Sequence, residues 1–285
     1  MEQISSQKTE QPEISEAERQ ELLERTTVYI NAGGRGTRME SVFPKNETGV
    51  TKALIEFNGQ PMVQSHADLI LQLGFRNVIV GAGDHLDVRE YFDQHLDERL
   101  SVVNTAEQED TGGDLIKAIR ESRDVGENVL VENVDTLLSI KDIGDLLIQH
   151  KKTGALGTII LTTRAGVPNE NAFFVDESGK VIFSQEARPE YGLVAPEQKD
   201  GFRGSSTGTV VFDTDFLRGF DWHSGDGKLS VYRDLIPVLI QKGRLYAYDN
   251  GKNFFIDTGT PDAYHKIKRH ERGVFGGLGE RYVNK

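Results

Sequence analysis

Two hydrophobic periods alternate along most of the chain. Residues 26–31 run through Thr27, Val28, Tyr29 and Ile30, a β-branched and aromatic stretch that predicts a short buried strand. The pattern then predicts a helix over 61–73, closed by Gly74 just past its end. A strand follows at 77–80, a helix at 86–96, a strand at 101–104, a helix at 115–121 and a buried strand at 129–132. Ser139 opens a further helix that places Ile143, Leu146, Leu147 and His150 on one face and stops at Gly154, and 157–163 reads as a strand. Such alternation implies an α/β fold, a mostly parallel sheet covered by helices on both faces.

The texture changes after residue 165. Residues 172–184 read as a hairpin turning at Ser178-Gly179, and 207–212, 244–248 and 254–256 as strands. A helix is expected over 231–242, and Thr260 followed by Pro261 marks another helix start. A small β-rich insertion over 170–205 on the α/β core is the expected plan. Ahead of the first strand, residues 1–25 form a polar extension rich in Glu, Gln and Ser, expected to begin disordered. Within it, Ser15 and Glu18 are spaced for a capping box on a short helix through Leu23. The expected domain is 26–270, with 271–285 as a tail.

Directly after the first strand the side chains shrink, at Ala32, Gly33, Gly34 and Gly36. Glycine permits close approach, and successive backbone N–H groups in such a turn form an anion-binding concavity. Arg35 and Arg38 sit inside the turn, and Lys45 and Lys52 follow it. The combination points to a phosphate-rich ligand. It is not a dinucleotide fingerprint, because Met39 stands where the third glycine belongs. No Gly-Lys pair is present here for an NTPase loop. GAGDHL at 81–86 also lacks the third glycine and reads as a turn.

AGGRGTRM at 32–39 followed by TKAL at 51–54 resembles the nucleotide-binding signature of the sugar-1-phosphate nucleotidyltransferases, approximately AGGxGTRL and then PKxL. The resemblance covers about residues 26–265 and implies a Rossmann-like three-layer α/β/α sandwich. It implies that Ala32, Gly33, Gly34, Gly36 and Thr37 bind nucleotide, and that Arg38 and Lys52 carry the catalytic charge. EQEDTGGDLIKAI at 107–119 looks like the base-reading segment, which nominates Glu107, Thr111 and Gly112; Asp110 replaces a frequent glycine there. ENVD at 132–135 and FFIDTGTPDAY at 254–264 match two further motifs, which nominate Asp135 and Asp257 as ligands of Mg²⁺. By spacing alone, each is an aspartate just beyond a strand, which caps turns more often than it binds metal. Val134 stands where the family usually has glycine, and its bulk is expected to narrow the pocket beside Asp135.

The sugar-facing half departs further. EARP at 186–189 stands for EKP, and STG at 206–208 for NAG. The carried-over sugar-phosphate contacts are Asn133, Glu186, Arg188, Ser206 and Gly208. The expected reaction joins NTP and a sugar 1-phosphate into an NDP-sugar and pyrophosphate, with an unusual sugar or cyclitol phosphate as acceptor. Two rival readings stand beside it: a non-catalytic nucleotide-sugar-binding regulator, and a cytidylyltransferase acting on phosphocholine or a similar phosphate.

Composition narrows the setting. With no cysteine, disulfides and thiolate metal sites are excluded. A formal charge of −12 argues against nucleic acid as partner. No apolar run approaches the ~20 residues of a membrane span, and the polar N-terminus does not read as a secretory signal. A cytoplasmic enzyme is expected, with homo-oligomerisation left open.

Overall fold

The computed structural model describes residues 14–34, 36, 51–57, 59–95, 97–105, 110–138, 140–163, 172–196, 202–221, 228–251, 255–262 and 264–265. In chain order the elements begin with α1 (Glu16–Glu24), β1 (Thr26–Asn31), β2 (Glu56–Phe57), β3 (Gln60–Pro61), α2 (Met62–Gln72) and β4 (Asn77–Gly83). They continue with α3 (Leu86–Asp93), β5 (Leu100–Asn104), α4 (Asp110–Glu121), β6 (Asn128–Asn133), β7 (Thr136–Leu138), α5 (Ile140–Thr153) and β8 (Gly157–Thr162). The last are β9 (Ala172–Val175), β10 (Val181–Ser184), β11 (Phe202–Asp213), α6 (Thr214–Arg218), α7 (Ile236–Gln241), β12 (Leu245–Asp249) and β13 (Phe255–Asp257).

β5, β4, β1 and β6 lie side by side and parallel, with β1 flanked on both edges. β11 then runs antiparallel between β6 and β8, and β12 closes the far edge parallel to β8. The expected hairpin β9–β10 joins the same sheet by pairing with the first residues of β11. This is the mixed, mostly parallel sheet of the α/β reading, with the insertion continuous with the core sheet.

Alternation along β1 divides the core. Val28 and Ile30 pack with Val63, Ala67 and Ile70 of α2, Val88 of α3 and Leu146 of α5. Tyr29 faces the other way, toward Leu115 and Ile119 of α4 and Ile236 and Leu239 of α7. A strand with apolar side chains on both faces must be covered by two helical layers, and both are present. At the N-terminus the capping box forms: the Ser15 hydroxyl accepts from Glu18 N, and the Glu18 carboxylate accepts from Ser15 N at 3.0 Å. Buried Leu22 and the Arg19–Asp145 ion pair at 3.4 Å attach α1 to the domain.

Four elements differ from expectation. The segment 81–83 extends β4 instead of forming a turn, and α4 begins at Asp110, five residues before the predicted start. The strand expected at 207–212 is a twelve-residue strand with a bulge between Ser206 and Val210. The helix expected over 231–242 starts as a π-turn, Val231–Leu235, and becomes α-helical only at Ile236. Pro237 explains that break: it has no N–H to give to the carbonyl of Arg233, which accepts instead from Arg188 N.

Candidate active site

The carboxyl ends of β1 and β6 open onto a cavity of about 200 Å³ lined by Asn31, Ala32, Gly34, Gly36, Lys52, Asn133, Asp135 and Gly259, among others. Ligand sites in open α/β sheets form beyond such strand ends. Asn31 and Asn133 end the two parallel strands and face each other, with the Asn31 amide donating to Asn133 Oδ1 at 3.2 Å. Gly33 packs against the end of β4. A Cβ at Gly33 would stand 2.8 Å from Gly83 N and 3.0 Å from Gly83 Cα, so the two glycines allow the backbones to touch. GAG at 81–83 is therefore the seat of the glycine turn, a role that the sequence reading missed.

Lys52 does not lie on a strand. It opens a one-turn 3-10 helix, Lys52–Leu54, anchored by buried Ala53 and Ile55. Its side chain lies against Gly36 and its Nζ forms an ion pair with the Asp135 carboxylate. Both side chains are largely shielded, at 12% and 13% exposure, so the pair is little screened. Val134, beside Asp135, lines the cavity and is itself buried in the core.

Asp257 reaches the same place from the other end of the chain. β13 pairs antiparallel with β7 so that Asp257 stands opposite Thr136, the neighbour of Asp135. Thr258 N donates to the Asp135 carbonyl at 2.8 Å, and Gly259 N donates to Asp257 Oδ1 at 2.6 Å.

Beneath Asp135, His66 and Glu132 form a buried pair at 2.5 Å. Burial pushes the His66 pKa down, but the hydrogen bond and charge of Glu132, the Val134 backbone and the charge of Asp135 outweigh it, and the net direction is upward. The sequence held no signal for this pair, because the partners sit 66 residues apart on a helix and a strand.

Next to Asn133, the β11 bulge carries Ser206 and Gly208. Gly208 has φ +90, and a Cβ there would meet Asn133 Nδ2 at 2.7 Å and Thr136 Oγ1 at 3.1 Å. The Ser206 hydroxyl accepts from Gly208 N at 3.0 Å and donates to the Tyr232 hydroxyl at 3.2 Å. Glu186 is partly buried, and desolvation raises its pKa although Arg233 pulls the other way. Arg188 is not among the residues lining the cavity. Its guanidinium is held by buried Asp234 at 2.9 Å and by the Lys228 carbonyl at 3.1 Å.

Thr111 and Gly112 stand at the start of α4, where Gly112 N and Gly113 N donate to the Leu229 carbonyl at 2.8 and 3.0 Å. Thr111 Oγ1 accepts from Val231 N at 3.1 Å. These groups are thus engaged by the segment entering the π-turn. Asp110 has φ +65, the left-handed region that glycine fills most easily, which accounts for the glycine usual at this position. Here its side chain stabilises the turn, accepting from Thr111 N at 2.7 Å and pairing with Arg233 at 2.5 Å. Thr37, Arg38 and Glu107, like Arg35 and Lys45, lie outside the described residues.

Among the described residues no group of three or more His, Asp or Glu side chains is arranged to hold a metal ion. Mg²⁺ is commonly held by only one or two protein carboxylates, with phosphate and water completing its shell. The β7–β13 pairing sets the backbones of Asp135 and Asp257 one register position apart, and a pair of carboxylates is the kind of donor set that Mg²⁺ takes.

The fold and this constellation define an α/β nucleotidyltransferase domain. The chain belongs to the family of the MobA-like NTP transferase domain, whose profile matches residues 28–200. Among curated proteins it is 25% identical over 236 residues to a mannose-1-phosphate guanylyltransferase catalytic subunit beta from Danio rerio, covering 81% of this chain and 61% of that protein. It is 28% identical over 194 residues to a bifunctional protein GlmU from Heliobacterium modesticaldum, covering 67% of this chain and 39% of that protein. The chain thus spans less than two thirds of the length of these relatives. Among solved structures, HddC from Yersinia pseudotuberculosis superposes with a TM-score of 0.64 at 19% identity, covering 85% of this chain and 98% of that one. The same protein is also known complexed with GMP-PN. No helix among the described residues is long and apolar enough to cross a membrane.

Proposed function

We propose that this protein transfers a nucleoside monophosphate from NTP to a sugar 1-phosphate, forming an NDP-sugar and releasing pyrophosphate. The observation that carries the reading is the junction of Lys52, Asp135 and the glycine turn at one cavity, with Asp257 alongside. The family membership and the activity named for the similar curated proteins support it.

Both reactants are anions, so catalysis rests on positioning and charge neutralisation. The backbone N–H groups of the turn around Gly33, Gly34 and Gly36 hold the β- and γ-phosphates, together with Arg38. Lys52 leaves Asp135 for the α-phosphate and the entering acceptor phosphate, bringing two like-charged groups within attacking distance. The acceptor phosphate attacks the α-phosphorus in line, the bond to the bridging oxygen breaks, and pyrophosphate departs. The acceptor oxygen is already ionised, so no general base and no covalent nucleophile are required. Asp135 and Asp257 would hold Mg²⁺, which when bound polarises phosphate oxygens as a Lewis acid.

The acceptor is expected to be an unusual sugar or cyclitol phosphate, because the departures from the family pattern at Val134, Ala187 and Ser206 fall on the acceptor side. The test is a pyrophosphate-release screen of the common nucleoside triphosphates against a panel of sugar and cyclitol 1-phosphates. Turnover with one such pair supports the reading. Tight nucleotide-sugar binding without turnover would make the protein a regulator, and turnover confined to phosphocholine would make it a cytidylyltransferase of another class. A strong preference for glucose or mannose 1-phosphate would remove the unusual-acceptor part alone.

A further inference from the structure

The π-turn Val231–Leu235 is tied at both ends to the two halves of the site. Leu229, just before it, caps the N-terminus of α4 through its carbonyl, and Arg233 pairs with Asp110 at 2.5 Å. Asp234, buried, binds Arg188 and accepts from Tyr191. π-turns inside helices often mark functional positions because the extra residue redirects one side chain. Here the residue between these anchors is Tyr232.

Tyr232 is half-buried, and its hydroxyl accepts from Ser206 Oγ at 3.2 Å. Ser206 in turn accepts from Gly208 N, and Gly208 lies directly against Asn133 on the cavity floor. A continuous chain of contacts therefore runs from the phenol through Ser206 and Gly208 to Asn133, which lines the cavity. Each hydroxyl is both donor and acceptor, so the Ser206–Tyr232 pair shares one hydrogen bond and can still offer a further donor or acceptor to a neighbouring group. Burial raises the phenol pKa, the Ser206 hydrogen bond lowers it, and the charges of Glu186 and Asp135 raise it further. The net direction is upward, so the group stays neutral at physiological pH.

Resting on the nucleotidyltransferase reading, we infer that Tyr232 determines acceptor specificity, its hydroxyl reading one ring hydroxyl of the sugar or cyclitol phosphate beside Ser206. A neutral hydroxyl pair suits this task, since a ring hydroxyl can accept from the phenol and donate onward. A site built around such a hydrogen bond rejects analogues lacking the hydroxyl, because its own buried donor is then left unpaired.

The experiment compares the wild-type protein with Tyr232→Phe on glucose, mannose and myo-inositol 1-phosphates and on analogues of each lacking a single ring hydroxyl. For the wild type, one deoxy position should cost about 10- to 100-fold in kcat/KM. Tyr232→Phe should lose a similar factor on the parent acceptor and discriminate less than ~3-fold against that analogue, the non-additivity expected of directly interacting groups. Its KM for NTP should stay within ~2-fold and its thermal midpoint should be unchanged. If the variant keeps the wild-type preference across the series, or loses NTP and acceptor affinity together, the inference is overturned while the nucleotidyltransferase reading stands. If the wild type turns over no pair at all, that reading fails and the inference fails with it.

Discussion

Lys52 and Asp135, 83 residues apart in sequence, form a shielded ion pair at the mouth of the glycine turn. The pair joins the signature after β1 to the motif after β6, and it sets a direction for the chemistry. A cation held by a carboxylate is oriented before the substrate arrives, at little entropic cost when it is passed to a phosphate.

Lys52→Ala is therefore expected to lower kcat at least ~100-fold, the scale of losing one oriented charge donor. Lys45→Ala should cost far less, although Lys45 follows a proline as in the family signature. Steady-state kinetics on both variants decide the matter: equal losses, or the reverse order, would refute the assignment to Lys52.

Asp135→Asn and Asp257→Asn each keep the shape of the site and remove one charge. Each should abolish Mg²⁺-dependent turnover while the circular dichroism spectrum stays that of the wild type. Mg²⁺ affinity can also be read without turnover, by calorimetric titration in the presence of a non-hydrolysable NTP. An unchanged Mg²⁺ midpoint in either variant would reduce that aspartate to a strand-end cap.

At Gly208 a Cβ would be both strained and crowded, with φ +90 and Asn133 Nδ2 at 2.7 Å. Gly208→Ala should destabilise the domain by about 1–3 kcal/mol. Because the displaced group is Asn133, the acceptor KM should rise more than the NTP KM. Urea denaturation together with paired KM values checks this; a variant with wild-type stability would mean the bulge relaxes freely.

The buried histidines respond to pH in opposite senses. Burial lowers His150 from an ordinary 6.5 to about 4, so the unfolded chain binds the proton first as the solution is acidified. Its contribution to stability is complete above about pH 6.5 and is lost as pH falls toward 4, by up to ~3 kcal/mol. His66 has a raised pKa, so its contribution is complete below 6.5 and fades as pH rises through its folded value. Replacing His150 with Gln should flatten the acid limb of stability measured by urea midpoint. Should the limb persist unchanged, groups other than His150 control it.

What could be read from the chain was mostly local. The run Val28–Ile30, the small residues after it, and the aspartates just past β6 and at the last position of β13 each announce themselves within a few neighbours. The site's internal partners do not. Lys52 finding Asp135, Asn31 finding Asn133 and Gly33 finding Gly83 are products of parallel strand order, which places distant segments at one sheet edge. Asn31 alone carried a signal, as a polar residue closing a buried strand. The π-turn escaped because hydrophobic periodicity over 231–242 is helical throughout, and Pro237 alone marks a place where one helical hydrogen bond must be missing. Arg188 read as a stand-in for a family lysine, whereas in the fold buried Asp234 holds it, a charge partner 46 residues away.

The most direct measurement follows the phosphorus atoms themselves. Purified wild-type protein with Mg²⁺, NTP and its best acceptor from the screen should show, by phosphorus NMR, NDP-sugar and pyrophosphate appearing in equal amounts. Lys52→Ala at the same concentration should show neither over the same interval. Pyrophosphate without NDP-sugar, or equal product formation by the variant, would contradict nucleotidyl transfer at this cavity.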